Sequence, residues 1–210
     1  MLRKNSKGMF GTRIKVLLTL LPVLFTGSCT SIPELQVQYT LPSPSEPLKG
    51  RAVALTIEDQ RTSPSILGRG AEDDFEGFSG SVSLSIADAG NKALKVGIFQ
   101  VPNLMKEAFT RRLQNTGLKV LSESTSGVSR LVINVKVFSL DLIGREWLAK
   151  MSYEAKLIGE NGAEATQFVN GEARRYKVIG REGVDILLGD VFTDMVNSLN
   201  PVRLFTQAGL

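Results

Sequence analysis

Residues 148–176, LAKMSYEAKLIGENGAEATQFVNGEARRY, decide the fold of this 210-residue chain. Apolar and polar residues alternate over residues 148–158, and a period of two predicts a β-strand with one buried and one wet face. Asn161-Gly162 is a typical hairpin turn, after which residues 165–176 return as the partner strand. The stretch therefore predicts an antiparallel pair that is covered on one side.

The same reasoning extends outward from this hairpin. Further strands are predicted, by alternation, over residues 51–57, 81–86, 93–98 and 130–138. Residues 102–115 and 182–199 repeat apolar residues every three or four positions, as the buried face of a helix does. In the second helix these residues include Leu188 and Phe192. The prediction is an α+β fold, an antiparallel sheet with two helices packed on one face.

The composition limits the chemistry that the chain can perform. With no His and one Cys, it has no Ser-His-Asp triad, no imidazole or thiolate metal cluster and no intramolecular disulfide. Residues 1–28 hold five of the 25 basic residues and no acid, which leaves 20 basic and 21 acidic residues, a net charge of −1, in the rest. We therefore expect no enzyme activity, cofactor, metal or nucleic-acid partner.

The N-terminus predicts an export signal and a lipid anchor. Basic residues precede the apolar run VLLTLLPVLF, residues 16–25. A ten-residue helix spans about 15 Å, half of a bilayer core, which favours a signal peptide over a membrane span. The next residues, Thr26-Gly27-Ser28-Cys29, resemble the lipobox of bacterial lipoproteins, which implies cleavage before Cys29 and acylation of that residue. The alternative is a plain secretory signal with an incidental Cys.

Three segments follow from this pattern: a cleaved signal peptide (1–28), a lipidated Cys with a tether (29–49) and a periplasmic α+β domain (50–210). Two or more acyl chains hold a protein stably on a membrane. Thr30, rather than Asp, follows the Cys. By resemblance to the usual sorting rule, this implies the periplasmic face of the outer membrane of a Gram-negative cell.

The tether is predicted from its prolines, which favour extended geometry and make a semi-rigid spacer. Four of the eight prolines fall in this stretch: Pro33, Pro42, Pro44 and Pro47. Leu35, Val37 and Tyr39 alternate with polar residues, so a strand packed along the domain is the alternative for that part.

The candidate binding residues lie in the long aperiodic segment 59–80. Asp59, Gln60 and Arg61 follow a strand directly and form a polar cluster suited to a partner peptide or a sugar. The alternative is structural: Asp59 accepts backbone N–H groups and Arg61 pairs with a local acid.

Two aromatic residues of the same segment, Phe75 and Phe78, stand among acids. They either fold back on the core or form part of a binding patch. The acidic run lacks the alternate spacing of a calcium loop. We expect residues 59–62 to be ordered and residues 70–77 to be mobile, because the middle has few apolar residues and several like charges.

Three stretches resemble the YajG-like family of bacterial lipoproteins: the strand ending in Asp59-Gln60-Arg61-Thr62, the helix LMKEAFTRRLQNTG (104–117) and the helix GDVFTDMVNSL (189–199). The resemblance covers nearly the whole chain. It implies outer-membrane-anchored lipoproteins without a settled activity, so no catalytic residue is carried over. The layout is also similar to periplasmic lipoproteins that act as auxiliary subunits of envelope machines.

The sequence therefore predicts a non-enzymatic outer-membrane lipoprotein that binds or scaffolds another cell-envelope component. The alternative is a carrier or sensor of a small envelope ligand, such as a cell-wall fragment or lipid, held between helices and sheet. A deep apolar pocket would favour the ligand, whereas an open strand edge or a flat patch would favour a protein partner.

Overall fold

Two β-sheets and three α-helices make up residues 32–88, 92–121 and 127–210, the part of the chain that the computed structural model describes. The predicted signal peptide and Cys29 lie outside these residues. The strands are β1 (Leu35–Thr40), β2 (Ala52–Asp59), β3 (Val82–Ala87), β4 (Leu94–Phe99), β5 (Lys119–Leu121), β6 (Ser129–Ile143), β7 (Glu146–Ile158) and β8 (Glu164–Tyr176). The helices are α1 (Val101–Gln114), α2 (Val184–Ser198) and α3 (Pro201–Gln207).

The larger sheet has the strand order β5-β2-β6-β7-β8, and the smaller has the order β1-β3-β4. The predicted hairpin is confirmed, since β6, β7 and β8 pair antiparallel. β2 instead pairs in parallel with both β5 and β6, and β1 pairs in parallel with β3. The α+β class is confirmed, whereas the prediction of a single antiparallel sheet is wrong. Alternation along a strand shows its buried face, but not its neighbours or their direction.

Both long helices pack on one face of the larger sheet, as predicted. Phe109 of α1 contacts Tyr153 of β7 edge to face, with ring centroids 5.0 Å apart. Phe192 of α2 lies 6.1 Å from Phe138 of the larger sheet and 6.0 Å from Tyr39 of the smaller sheet. The Phe192 ring therefore joins the two sheets into one core, and Leu188, the other residue predicted to lie in this core, is also fully buried.

Helix α2 runs along the outer edge of β1 and takes the place of a neighbouring strand. The N–H of Gln36 donates to Asp185 Oδ1 (2.9 Å), and the N–H of Thr40 donates to Thr193 Oγ1 (3.2 Å). Asn197 Nδ2 donates to the carbonyl of Thr40 (3.0 Å). Side chains of the helix thus pair with backbone groups that an edge strand would leave open.

A glycine permits this close approach of helix and strand. A Cβ on Gly189 would lie 3.2 Å from the carbonyl oxygen and 3.3 Å from the nitrogen of Gln38. Both distances are tighter than an ordinary contact with backbone atoms, so a larger residue would push α2 away from β1.

Residues 35–48 belong to the folded unit, which extends from Ile32 to Leu210. The strand alternative for Leu35, Val37 and Tyr39 is the one observed, with all three side chains buried in the core. The proline-rich part that follows is hydrogen-bonded to the end of α1: Ser45 N–H to the Asn115 carbonyl, Leu48 N–H to the Thr116 carbonyl, and Asn115 Nδ2 to the Pro42 carbonyl. Of the predicted tether, residues 29–31 lie outside the described residues.

A third helix, which the sequence did not predict, follows residue 200. Asn200 and Pro201 end α2, but they also begin α3. The Asn200 side chain accepts the N–H of Arg203 (2.9 Å), and proline suits the first helical position. Leu204 and Phe205 are buried, so α3 adds a third helix to the two that were predicted.

Leu188→Ala should lower the free energy of unfolding by about 2–5 kcal/mol, because a fully buried Leu loses its transfer energy and leaves a cavity. Chemical denaturation of the full chain measures the change. Ile186→Ala, in the same helix but exposed, is the matched control and should cost less than about 1 kcal/mol. Equal small losses for both variants would show that the stripe of α2 is not core.

Candidate functional site

Asp59 and Arg61 form an ion pair at the end of β2. Arg61 Nε lies 2.8 Å from Asp59 Oδ1, and Nη2 lies 2.8 Å from Oδ2, so the guanidinium fork binds both carboxylate oxygens. The main-chain N–H of Arg61 also donates to Oδ1 (3.3 Å). The hydrogen bonds from the Arg61 side chain lower the pKa of the Asp59 carboxyl.

This arrangement is the structural alternative that the sequence allowed for the cluster. The Arg61 side chain is only 6% exposed, and its fork is occupied by Asp59. The remaining nitrogen, Nη1, is buried and has no hydrogen-bond partner among the described residues. The ion pair therefore holds the start of the loop that follows β2. The Nε and Nη2 donors of Arg61 are both occupied, so this pair of donors is not free to bind a ligand carboxylate.

Gln60 instead belongs to a row of polar side chains on the open face of the larger sheet. Its Nε2 donates to Glu58 Oε2 (3.0 Å) and to Asn134 Oδ1 (3.3 Å), and its Oε1 accepts from Lys136 Nζ. Asn134 Nδ2 continues the row to Glu154 (3.3 Å). Such exposed pairs add little stability, and here they keep the sheet face polar.

The middle of the long loop is packed against the larger sheet, with Ala71 and Phe75 buried. The expectation of few apolar contacts in residues 70–77 is therefore wrong, and their mobility stays a prediction for amide hydrogen exchange. The N–H of Gly68 donates to the Leu140 carbonyl (2.8 Å), and the N–H of Gly70 donates to Asp141 Oδ1 (2.9 Å). A Cβ on Gly70 would overlap the backbone of the same strand. Gly68 and Gly70 allow the loop to lie this close to β6.

Phe75, the last residue of a short 3-10 helix (Glu72–Phe75), also packs against the larger sheet. Its ring is 3% exposed and lies edge to face 6.0 Å from Trp147 and 6.3 Å from Phe78. Asp74 forms an ion pair with Lys177 (2.5 Å). Of the two alternatives, the rings fold back on the core, with Phe78 partly buried.

The two groups of candidate residues are not brought together. Asp59 pairs with Val135 near the middle of β6, whereas Phe75 packs on Trp147, which pairs with Leu142 near the end of that strand. Seven positions along a strand correspond to roughly 20 Å. A single small ligand would not contact both groups.

A different surface, the free edge of the smaller sheet, was not predicted from the sequence. β4 is the last strand of that sheet, and its outer side has no hydrogen-bonding neighbour among the described residues. It exposes Leu94 (72%), Val96 (39%) and Ile98 (59%). The only charge on the strand, Lys95, lies 3.4 Å from Glu34. The alternation that predicted a strand here could not show that the strand lies at an edge.

The space between the helices and the sheets is filled. Its largest fully buried side chains are Trp147, Tyr39, Tyr153, Phe109, Phe138 and Phe192. A surface groove of about 300 Å³ lies beside α2, and Gln36, Gln38, Asp185, Asp190 and Asp194 line it with polar groups. Burial raises the pKa of the Asp185 carboxyl.

Residues 32–88, 92–121 and 127–210 contain no group of three or more His, Cys, Asp or Glu side chains placed to hold a metal ion. None of their helices combines the length and the apolar character needed to span a membrane.

Comparison with known proteins gives structural likeness only. No family model and no curated protein matches the sequence. A solved structure of a DUF330 family protein from Xanthomonas campestris is similar over 81% of this chain and 95% of that one, with a TM-score of 0.55 and 16% identity.

Two bacterial lipoproteins of known structure are also similar. Rare lipoprotein B from Shewanella oneidensis matches 69% of this chain and 88% of its own, with a TM-score of 0.36 and 8% identity. A minor lipoprotein from Acinetobacter baumannii matches 75% and 96%, with a TM-score of 0.37 and 10% identity. Of these three, the Xanthomonas protein is the one with which this chain shares its fold.

Asp59→Asn should lower the free energy of unfolding at pH 7 by about 1–3 kcal/mol, because a nearly buried Arg61 loses its charged partner. Arg61 lowers the pKa of Asp59, so this stabilisation exists above the ordinary carboxyl pKa and is lost as pH falls through the lowered folded-state value. The difference from wild type should therefore shrink below about pH 4.

Chemical denaturation at pH 7 and pH 3 measures both effects. Glu76→Gln is the control, since this exposed carboxylate forms no ion pair among the described residues. An Asp59→Asn difference of the same size at the two pH values would contradict the assignment of the stabilisation to the ion pair.

Proposed function

We propose that the chain is a non-enzymatic lipoprotein, anchored by Cys29 at the periplasmic face of the outer membrane. Its domain binds or scaffolds another envelope protein through the open edge of β4. The exposed aliphatic side chains of that edge, Leu94, Val96 and Ile98, are the observation that carries the proposal. The lipobox and the resemblance to the YajG-like family support the anchor and the compartment.

The edge strands β8 and β4 differ in the number of charged side chains that they carry. β8, at the edge of the larger sheet, carries charges that form ion pairs with β7: Glu172 lies 3.1 Å from Lys150, and Glu164 lies 2.7 Å from Lys156. Charged residues of this kind protect an edge strand from pairing with other chains. Both strands expose apolar side chains, including Phe168 on β8, but β4 has a single charge beside them. An extended segment of a partner could add to β4 through main-chain hydrogen bonds.

The filled interior does not favour the alternative function, a carrier of a small ligand held between helices and sheets. A drug-sized ligand needs a largely apolar cavity of about 300–1,000 Å³. Surface grooves of about 300–400 Å³ reach the lower part of this range, but they are open to solvent, and Asp185, Asp190 and Asp194 line the one beside α2. The protein partner is therefore the better-supported function.

Cys29→Ser tests the anchor. If Cys29 is acylated, the variant should keep its signal peptide or appear in the soluble periplasmic fraction, because no other residue of the chain can form the thioether. Fractionation of cells and mass spectrometry of the N-terminal peptide measure the outcome. Thr30→Ser, next to the Cys, is the matched control and should remain membrane-bound. Wild-type fractionation and the wild-type N-terminus in Cys29→Ser would contradict the anchor.

Photo-crosslinking in intact cells tests the β4 surface. A benzophenone amino acid at Leu94 or Ile98 should give an adduct of one defined mass, because these side chains flank the free edge. The same probe at Phe168, exposed on β8, is the control and should give no such adduct. Adding a Lys substitution at the second β4 position should reduce the yield at least about tenfold, because a charge opposes burial in an apolar interface.

The absence of an adduct at either β4 position would contradict the proposed edge interaction. Equal labelling of the same protein from Phe168 would show that proximity, rather than binding at β4, produces the adduct. The far-ultraviolet circular dichroism of each variant should match that of wild type.

A further inference from the structure

We infer that the domain rests directly on the lipid bilayer, with the loop between β8 and α2 in contact with the membrane interface. This loop, residues 177–183, exposes Val178 and Ile179, each 73% accessible to solvent. Ile32 and Ile186 are also more than half exposed. The inference rests on the proposed acylation of Cys29 and adds an orientation to it.

The chain between Cys29 and the folded unit is short. Ile32, the first residue of the folded unit, follows Cys29 by three residues, and β1 begins at Leu35. A fully extended chain covers at most about 3.6 Å per residue, so three residues span about 11 Å. Ile32 is therefore held within about 11 Å of Cys29, and the start of β1, six residues after Cys29, within about 22 Å, so no long spacer separates the domain from the membrane.

The hydrogen bonds of β1 show which surface lies beside this starting point. The N–H of Gln36 donates to Asp185 in the first turn of α2, and α2 then runs in the same direction as β1. The loop before α2 is consequently at the end of the domain where β1 starts. Val178 and Ile179 in that loop, and Ile186 in the first turn of α2, place apolar side chains where the anchor holds the domain.

The contacts of the loop hold its ends while leaving its tip free. Lys177 donates its main-chain N–H to the Arg145 carbonyl (2.8 Å) and pairs with Asp74. The Arg181 guanidinium lies 5.1 Å from the centre of the Phe75 ring. The apolar tip, Val178 and Ile179, thus projects between two anchored cationic residues, an arrangement that suits the boundary between headgroups and acyl chains.

Acidic side chains at the same end of the domain reduce its electrostatic attraction to anionic lipid. Glu34, Glu182 and Asp185 lie near the start of β1 and the start of α2, alongside Arg175 and Arg181. Anionic lipid should therefore change the contact little. Apolar insertion of Val178 and Ile179 is the main attraction.

The opposite end of the domain supplies an internal reference. α2 is 15 residues long, which corresponds to about 22 Å. α3 follows it directly and exposes Val202. The proline-rich residues that bond to the end of α1 lie at this end as well. A probe on α3 should remain in water when a probe on the 177–183 loop enters the interface.

Environment-sensitive fluorescence on the full acylated protein tests the inference. Ile179→Cys and, separately, Val202→Cys are labelled with a nitrobenzoxadiazole probe, since acylation leaves the introduced thiol as the free one. The proteins are placed in nanodiscs of phosphatidylethanolamine and phosphatidylglycerol at 3:1. At residue 179 we expect a blue-shifted emission, at least about threefold less quenching by iodide, and quenching by doxyl-labelled lipid. At residue 202 we expect a water-exposed probe.

The outcomes separate the inference from the proposed function. Mass spectrometry of the N-terminal peptide first establishes whether Cys29 is acylated; an unmodified Cys would overturn both. With Cys29 acylated, a residue-179 probe that iodide quenches as strongly as the residue-202 probe would overturn the orientation alone. The same holds if both probes enter the lipid. Val178→Cys provides a second label in the same loop should Ile179→Cys lower the yield of folded protein.

Discussion

Side chains of α2 form the hydrogen bonds that a neighbouring strand would form with the backbone of β1. The rest of the structure depends on this pairing. An edge strand with no neighbour would leave N–H and C=O groups without protein partners. Asp185, Thr193 and Asn197 fill this role from successive turns of α2. The same helix inserts Phe192 between the sheets. One face of α2 therefore bonds to the edge of β1, and another packs in the apolar core. Gly189 allows both by bringing the helix against the strand.

Local patterns predicted the elements better than their arrangement. The alternation in residues 148–176 and the stripe of α2 each reflect one buried face, and that face is set by neighbouring residues in sequence. The parallel pairing of β2 with β6, and of β1 with β3, depends on residues far apart in the chain. α3 was not predicted, although Asn200 and Pro201 suit the cap and the first position of a helix.

The candidate site shows the same division. The pairing of Arg61 with Asp59 over two residues is a local interaction, and it was foreseen as the structural alternative. The burial of Phe75 required Trp147, whose place opposite the loop follows only from the register of β6 and β7. The exposure of Leu94 and Ile98 depends on which parts of the fold cover β4, and those parts lie far from it in sequence. No motif in the sequence carries that information.

β1 is synthesised long before the helix with which it pairs. Its partners on α2 lie 149 to 158 residues later in the chain. Under the proposed export and acylation, β1 therefore emerges long before the helix that completes it, and contacts so distant in sequence form late and slowly. Throughout that interval β1 has none of its partners on α2, and it would pair with them only once the chain before it was already held at the membrane.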